Sequence, residues 1–190
     1  ITGFNDGTRT TSNFFNLTIT KTPLTSIDGD ANNINTIVEK WFSSNNNKSN
    51  NDNNATYSMF NDVGSDGYYS NHPFYGHIAD WNTSQVTDMS NLFKGKTTFN
   101  DALTNWDTSN VTIMNNMFRD CRIFNQSVSN FDTSNVTNMN SMFNNCRNFN
   151  QTVSNFDTSN ITIMNNMFRD CHKFNQSVSN FDTSQVTDMS

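Results

Sequence analysis

Hydrophobic residues recur at a fixed interval along the second half of the chain. The segment NFDTSNVTNMNSMFNNCRNFNQ, at 130–151, has close copies that begin at Asn105 and Asn155, which defines a 25-residue period. Aligning the copies places eight apolar positions of each copy in vertical columns, one of which contains Val111 and Val136. A fixed period of this size is typical of repeat architectures, in which neighbouring copies bury each other's apolar face.

Within one copy, the apolar positions are spaced by threes and fours with breaks, which fits neither a continuous helix nor a long strand. We therefore expect a repeat solenoid, with short stacked parallel strands and helical turns. The pattern predicts a short strand on SVSNF, a polar corner on DTSN, a short strand or turn on VTNM and a helical turn on NSMFNNC. Backbone pairing between copies, at roughly 4.8 Å, would bring equivalent residues into register.

Two segments precede the repeats. Residues 1–30 are interpreted as a strand-containing segment, which could be the end of a preceding domain, because residues 13–23 alternate apolar and polar positions. Residues 31–72 are predicted to form an amphipathic helix followed by an Asn-rich loop. The helix pattern has Asp30 as its expected N-cap. Its apolar stripe consists of Ile34, Ile37, Val38, Trp41 and Phe42.

The repeats occupy residues 73–190 and are expected to break off within a further copy. The reason is that the final TSQVTDMS, at 183–190, also reads at 83–90. The first copy is irregular, with Lys96 where later copies have Cys. An irregular first copy preceded by an amphipathic helix is typical of an N-terminal cap that shields the open core.

Composition narrows the class of protein. The chain has 17 Phe, which is too many for a disordered segment, so its apolar residues are expected to pack. The net charge is −6 and no Lys or Arg run stands in the sequence, which argues against nucleic-acid and anionic-membrane partners. No apolar run approaches the roughly 20 residues of a membrane span.

The repeats resemble a known family. VTNMNSMFNNCRNFNQTVSNFDTSN, preceded by WFSS and YGHIADWNTSQVTDMSNLF, is similar to the BspA-like leucine-rich-repeat surface proteins over about residues 34–190. The resemblance implies a leucine-rich-repeat-like solenoid on a secreted or surface-displayed protein that acts in adhesion or host interaction. It brings no catalytic residues to this chain.

Two polar columns are candidates for metal chemistry. Cys121, Cys146 and Cys171 match no zinc-ligand spacing and are expected to be buried thiols, with a disulfide between adjacent copies as the alternative. The other column contains Asp107, Asp132, Asp157 and Asp182. A Ca²⁺ between copies would offset the repulsion of these carboxylates. Asx-turns would do so without a ligand, and Asn82 at the equivalent first-copy position favours them.

Columns that vary between copies, such as the basic column with Lys94, Arg119, Asn144 and Arg169, are expected to face solvent. If one surface binds a partner, the candidates are an Asn-Gln-Ser strip and this basic column. The candidate residues are Asn125, Gln126, Ser127, Asn150, Gln151, Asn175, Gln176, Arg119 and Arg169. Both columns are equally consistent with a merely soluble exterior.

The sequence shows no nucleophile with a base, no paired carboxylates and no phosphate loop, so we expect no enzyme and no cofactor. The main hypothesis is a non-enzymatic module at a cell or virion surface that recognises a protein or glycan partner. The alternative is a structural fibre or coat component that self-associates. Binding predicts that changes in the variable columns abolish attachment, whereas a structural role predicts failed assembly.

Overall fold

The computed structural model of the chain describes residues 23–26, 33–45 and 78–188. The strand expected within residues 13–23 and the Asn-rich loop lie almost wholly outside these ranges. Helix α1 spans Ile34–Asn45, and a single turn of 3-10 helix spans Ile78–Asp80. From there to residue 188 the chain forms turns joined by backbone pairing between successive copies.

Successive copies pair in parallel at equivalent positions. Asn138 forms parallel bridges with Ile113 before it and Ile163 after it, and the same relation reaches Asp88 and Asp188 at the ends. The pairing stays confined to isolated bridges, so the described residues contain no strand of several residues.

The segment NSMFNNC, predicted to be a helical turn, instead forms consecutive tight turns. The N–H groups of Met142 and Asn144 donate to the carbonyl oxygens three residues earlier, at 3.1 Å each. The N–H groups in between donate to the next copy. The N–H of Ser141 donates to Asn165 O at 2.9 Å, and that of Phe143 donates to Met167 O at 2.9 Å. An α-helix would use each of these N–H groups in a bond within the helix. Because alternate N–H groups bond to the next copy instead, this segment does not form a helix.

Residues with a left-handed backbone conformation make this alternation of bonds, within the copy and to the next copy, possible. Ser141 and Asn145 have φ of 53° and 58°, and the equivalent Asn116 and Asp120 have φ of 56° and 64°. Asn and Asp tolerate this region better than most residues, and Gly95 takes the same place in the first copy. The residues SVSNF also turn, at Ser129 and Asn130, where a strand is predicted.

The apolar columns form one continuous core, as the 25-residue period predicts. Phe118 and Phe143 stack with ring centroids 5.5 Å apart and planes 8° apart, and Phe124 stacks on Phe118 at 4.2 Å. All three rings are fully buried. The equivalent rings of the last copy, Phe168 and Phe174, are partly exposed.

Helix α1 packs its apolar stripe against the first copy. Its N-cap is Asn33, whose Oδ1 accepts the Thr36 N–H at 3.1 Å, in place of the predicted Asp30. Asp30 itself lies outside the described residues. The ring of Phe42 contacts those of Phe93 and Phe99, with centroid distances of 6.4 and 5.9 Å. Helix α1 therefore covers the rings of the first copy, as the rings of a later copy are covered by the copy before it.

Candidate interaction surface

The Asn-Gln-Ser strip is part of the pairing between copies. The Oδ1 of Asn125 accepts the backbone N–H of Asn150 at 2.9 Å and the Nε2–H of Gln151 at 3.1 Å. Asn150 does the same for Asn175 and Gln176, at 2.9 and 3.0 Å. The amide oxygens of Asn125 and Asn150 therefore fix one copy to the next, which a binding surface need not do.

The remaining groups of the strip are turned partly to solvent. Asn125 and Asn150 are exposed, whereas Gln126 and Gln151 are half-buried. The Ser127 hydroxyl is engaged locally, since its Oγ lies 2.9 Å from that of Ser129 and accepts the Ser129 N–H at 3.2 Å. What this strip offers a partner is the amide N–H groups of the Asn side chains together with the Oε1 acceptors of the Gln side chains, whose Nε2 groups already donate between copies. Its role in binding stays a prediction.

The two arginines of the predicted basic column are not adjacent. Asn144 occupies the copy between Arg119 and Arg169. Arg119 Nε lies 3.6 Å from the carboxylate of Asp120, and Arg169 Nε lies 3.8 Å from that of Asp170. Each guanidinium is thus partly neutralised by the residue that follows it.

A broader basic surface surrounds them. All seven Lys and Arg residues of 78–188 fall in the segments 94–98, 119–123, 144–148 and 169–173, which occupy equivalent positions in four copies. We call these segments the basic edge. The cations of the basic edge are spread over four copies, so they form no continuous run in the sequence. They come together only when the copies are aligned.

The Asp column forms Asx-turns, as predicted. Asp107 Oδ1 accepts the Ser109 N–H at 3.0 Å and the Ser109 hydroxyl at 2.7 Å, and these bonds hold the pKa of Asp107 below its ordinary value. Asn82 makes the same turn with Ser84, which shows that the turn needs no charge. The same Asx bond from the Ser N–H two residues later is present at Asp132, Asp157 and Asp182.

We call Asp107, Asp132, Asp157 and Asp182 the acidic edge. All four side chains are exposed. Across the described residues, no three His, Cys, Asp or Glu side chains are grouped so that they could hold a metal ion.

The cysteines form a ladder of free thiols. The Sγ–H of Cys146 donates to Phe118 O at 2.8 Å, and Cys121 and Cys171 donate to Phe93 O and Phe143 O in the same way. Burial raises the pKa of Cys121 and Cys146 far above the ordinary value and that of Cys171 to about 11. The prediction of buried thiols is confirmed for Cys121 and Cys146, whereas Cys171 is partly exposed.

Two further columns link the copies, and sequence reasoning did not assign them. Thr108 is 1% exposed, and its hydroxyl bonds to the backbone of Asp132 in the next copy. Asn130 Nδ2 donates to Leu103 O and Trp106 O in the preceding copy, at 3.0 Å each. The repetition of Thr and Asn in every copy is the available signal, but the sequence predicts a polar corner at Thr108 and a strand at Asn130.

The described residues contain no helix with the length and apolar character needed to cross a membrane.

Comparison with known protein families gives a match in two overlapping stretches, residues 58–158 and 124–190. The family is described as Mycoplasma protein of unknown function, DUF285. This chain belongs to the DUF285 family. The two matches together cover all four bridges between copies, from Asp88 to Asp188. The curated proteins and the solved structures gave no match.

Proposed function

We propose that this DUF285 chain is a non-enzymatic recognition module at a cell or virion surface, similar to the BspA-like surface proteins. It would be built as a leucine-rich-repeat-like solenoid whose outside contacts a protein or glycan partner. The observation that carries the proposal is the regular exterior. Amide side chains recur in columns held by bonds between copies, and Asp side chains recur in a column of Asx-turns. Such a surface suits many weak contacts made together.

The titratable side chains support a role without catalysis. Asp107 and its equivalents are engaged in Asx-turns, and the buried thiols of Cys121 and Cys146 are protonated at neutral pH. Thiolates, not thiols, act as nucleophiles.

The location is tested by protease shaving of intact source cells or particles, followed by mass spectrometry. The Asn-rich loop contains Lys48, so trypsin can cut there if the module is displayed. Release of loop peptides before lysis is expected. Peptides that emerge only after lysis would contradict surface display.

Recognition is tested with the purified chain on glycan arrays and in pull-downs from host-cell surface extracts. A matched pair of variants tests the basic edge. Arg122→Gln with Arg147→Gln removes two of its seven cations, whereas Asn148→Ala alters a neighbouring, half-buried side chain and leaves the charge unchanged. Loss of a captured partner with the first and retention with the second would place recognition on the basic edge. Absence of any captured ligand would favour the alternative, a fibre or coat component.

A further inference from the structure

The charges of the repeat region are segregated around each copy. The basic edge contains all seven Lys and Arg residues of 78–188 but only two of its ten acidic residues, Asp120 and Asp170. The other eight acidic residues lie elsewhere in the copies, and four of them form the acidic edge. One side of the repeat is therefore net positive although the chain as a whole is net negative.

The two edges leave the core on different sides. Phe118 and Phe131 direct their rings into the same core, with centroids 6.4 Å apart. Arg119 and Asp132 are the residues that follow them, and in each case the side chain is more exposed than the ring before it. The core thus separates the guanidinium column from the carboxylate column.

Both edges have groups to spare for an outside partner. Asp107, Asp157 and Asp182 accept hydrogen bonds from Ser at Oδ1, which leaves Oδ2 directed away from the turn. Arg122 is exposed and its side chain makes no hydrogen bond or ion pair with any other residue that the structure describes. Arg147 is exposed as well and uses only its Nε within its own copy, toward Asn145 Oδ1 at 2.8 Å.

The edges also share one spacing. Equivalent positions on both edges follow the same parallel pairing and are separated by roughly 4.8 Å per copy. The acidic edge has Asp at the same position of four copies, and Arg122 and Arg147 occupy the same position of two adjacent copies. Charges of opposite sign at this shared spacing can pair over neighbouring copies at once.

We propose that a second copy of this chain binds side by side, with its acidic edge against the basic edge of the first. A contact of this kind joins two different surfaces, so it can repeat to form a lateral array. Each exposed ion pair contributes little alone and is screened by salt, so the association depends on several pairs in register. The contact uses the same basic edge as the recognition test under the proposed function. Neutralising the acidic edge instead should weaken self-association and leave partner capture unchanged, so that failure of one can be distinguished from failure of the other.

The test measures the second osmotic virial coefficient of the purified chain by light scattering. Variant A has Arg122→Gln and Arg147→Gln, which makes the net charge −8 instead of −6. Variant B has Asp132→Asn and Asp157→Asn, which makes it −4. Variant B keeps its turns, because Asn82 already forms the same turn. Circular dichroism confirms that both variants are folded.

The wild type is expected to show a negative coefficient at about 20 mM NaCl and a positive one at about 500 mM, where the charges are screened. Variants A and B should each lose the negative coefficient. An equal mixture of A and B should recover a negative cross-coefficient, because A retains the acidic edge and B the basic one.

General charge repulsion predicts a different order. By net charge alone, variant B repels itself least and would be the most attractive of the three. That order, or a mixture no more attractive than its components, would overturn the proposal. It would also be overturned if the wild type stays monodisperse at low salt and the basic edge instead captures heparin, used as a polyanion probe.

Discussion

The hydroxyl of Thr108 bridges the N–H and the C=O of a single residue, Asp132, in the next copy. Asp132 N–H donates to Thr108 Oγ1 at 2.8 Å, and the hydroxyl donates to Asp132 O at 2.8 Å. Thr83 does the same with Asp107. The buried Thr108 hydroxyl thereby satisfies both backbone groups of an acidic-edge residue.

Thr108→Val keeps the side-chain shape and removes the bridge. We expect it to lower the free energy of unfolding by about 1–3 kcal/mol, because the N–H and C=O of Asp132 are left without their partner. Urea denaturation followed by circular dichroism measures the change. Thr108→Ser retains the hydroxyl and should cost less.

The control is Thr112→Val. Thr112 is exposed, and its Oγ1 makes a single longer bond, to Thr87 O at 3.2 Å. Its replacement should change stability by less than that of Thr108. Equal losses at the two positions would show that the bridge contributes no special stability.

The Asx-turns predict a loss of stability in acid. Bonds from Ser109 hold the pKa of Asp107 below the ordinary value of 3.8, and bonds from Ser159 and Ser184 lower the pKa of Asp157 and Asp182. A carboxyl whose folded pKa is depressed stabilises the fold above its unfolded pKa and loses that contribution as pH falls through the folded pKa. Thermal unfolding should therefore shift to lower temperature between about pH 5 and pH 2.

Replacing these three Asp residues with Asn tests the assignment. The variant retains the turn, as Asn82 does, but has no carboxyl to titrate there, so its melting temperature should fall less between the same pH values. Ser109→Ala, Ser159→Ala and Ser184→Ala together remove the hydroxyl part of the effect and should weaken the acid dependence as well. An unchanged pH profile in both variants would place the dependence in other groups.

Thiol labelling should follow burial. At about pH 8, iodoacetamide is expected to modify Cys171 first, because its pKa is about 11 and it is partly exposed. Cys121 and Cys146 are buried with pKa values raised further, so they should react only when urea unfolds the chain. Peptide mass spectrometry reads out each site. Rapid native labelling of Cys146 would contradict the buried ladder.

At position 141, the glycine variant should be more stable than the alanine variant. Its φ of 53° is in the left-handed region, which costs a residue with a Cβ about 1 kcal/mol or more. Ser141→Gly and Ser141→Ala lose the same hydroxyl, so their difference in melting temperature reports the backbone. We expect the Gly variant to be the more stable of the two.

Ser129 provides the matched comparison. It is exposed and is not among the residues with positive φ, so Gly should be less stable than Ala there by about 0.5–1 kcal/mol. The same order at both positions would rule out backbone strain at Ser141.

The 25-residue period predicts where the core lies. Val136, Phe143 and Phe149 are all fully buried, as their columns predict. The stripe from Ile34 to Phe42 likewise predicted helix α1, because apolar spacing is a local property. Asn33 took the N-cap position expected for Asp30, an error of the size usual at helix ends.

The sequence predicts backbone pairing between copies but not which groups form the bonds. Asn125 was assigned to a binding strip because it is polar, but its Oδ1 pairs with Asn150. NSMFNNC was assigned a helical turn because its apolar spacing fits one, but Phe143 donates to Met167 instead. In both cases the hydrogen-bond partner lies in the next copy, 24 or 25 residues away in sequence. Local sequence propensity does not predict such a bond.

The uniform stack of aromatic rings leaves the alignment of the copies ambiguous by whole repeats. Phe118 and Phe143 have nearly the same environment, so a displacement by one copy would preserve most of their contacts. The first copy differs from the others through the bond from Trp106 Nε1 to Ile78 O and the ion pair of Lys96 with Glu39. These few contacts select one alignment among several of similar energy. A chain that folds from its middle could therefore become trapped one repeat out of step, while one that folds outward from helix α1 could not.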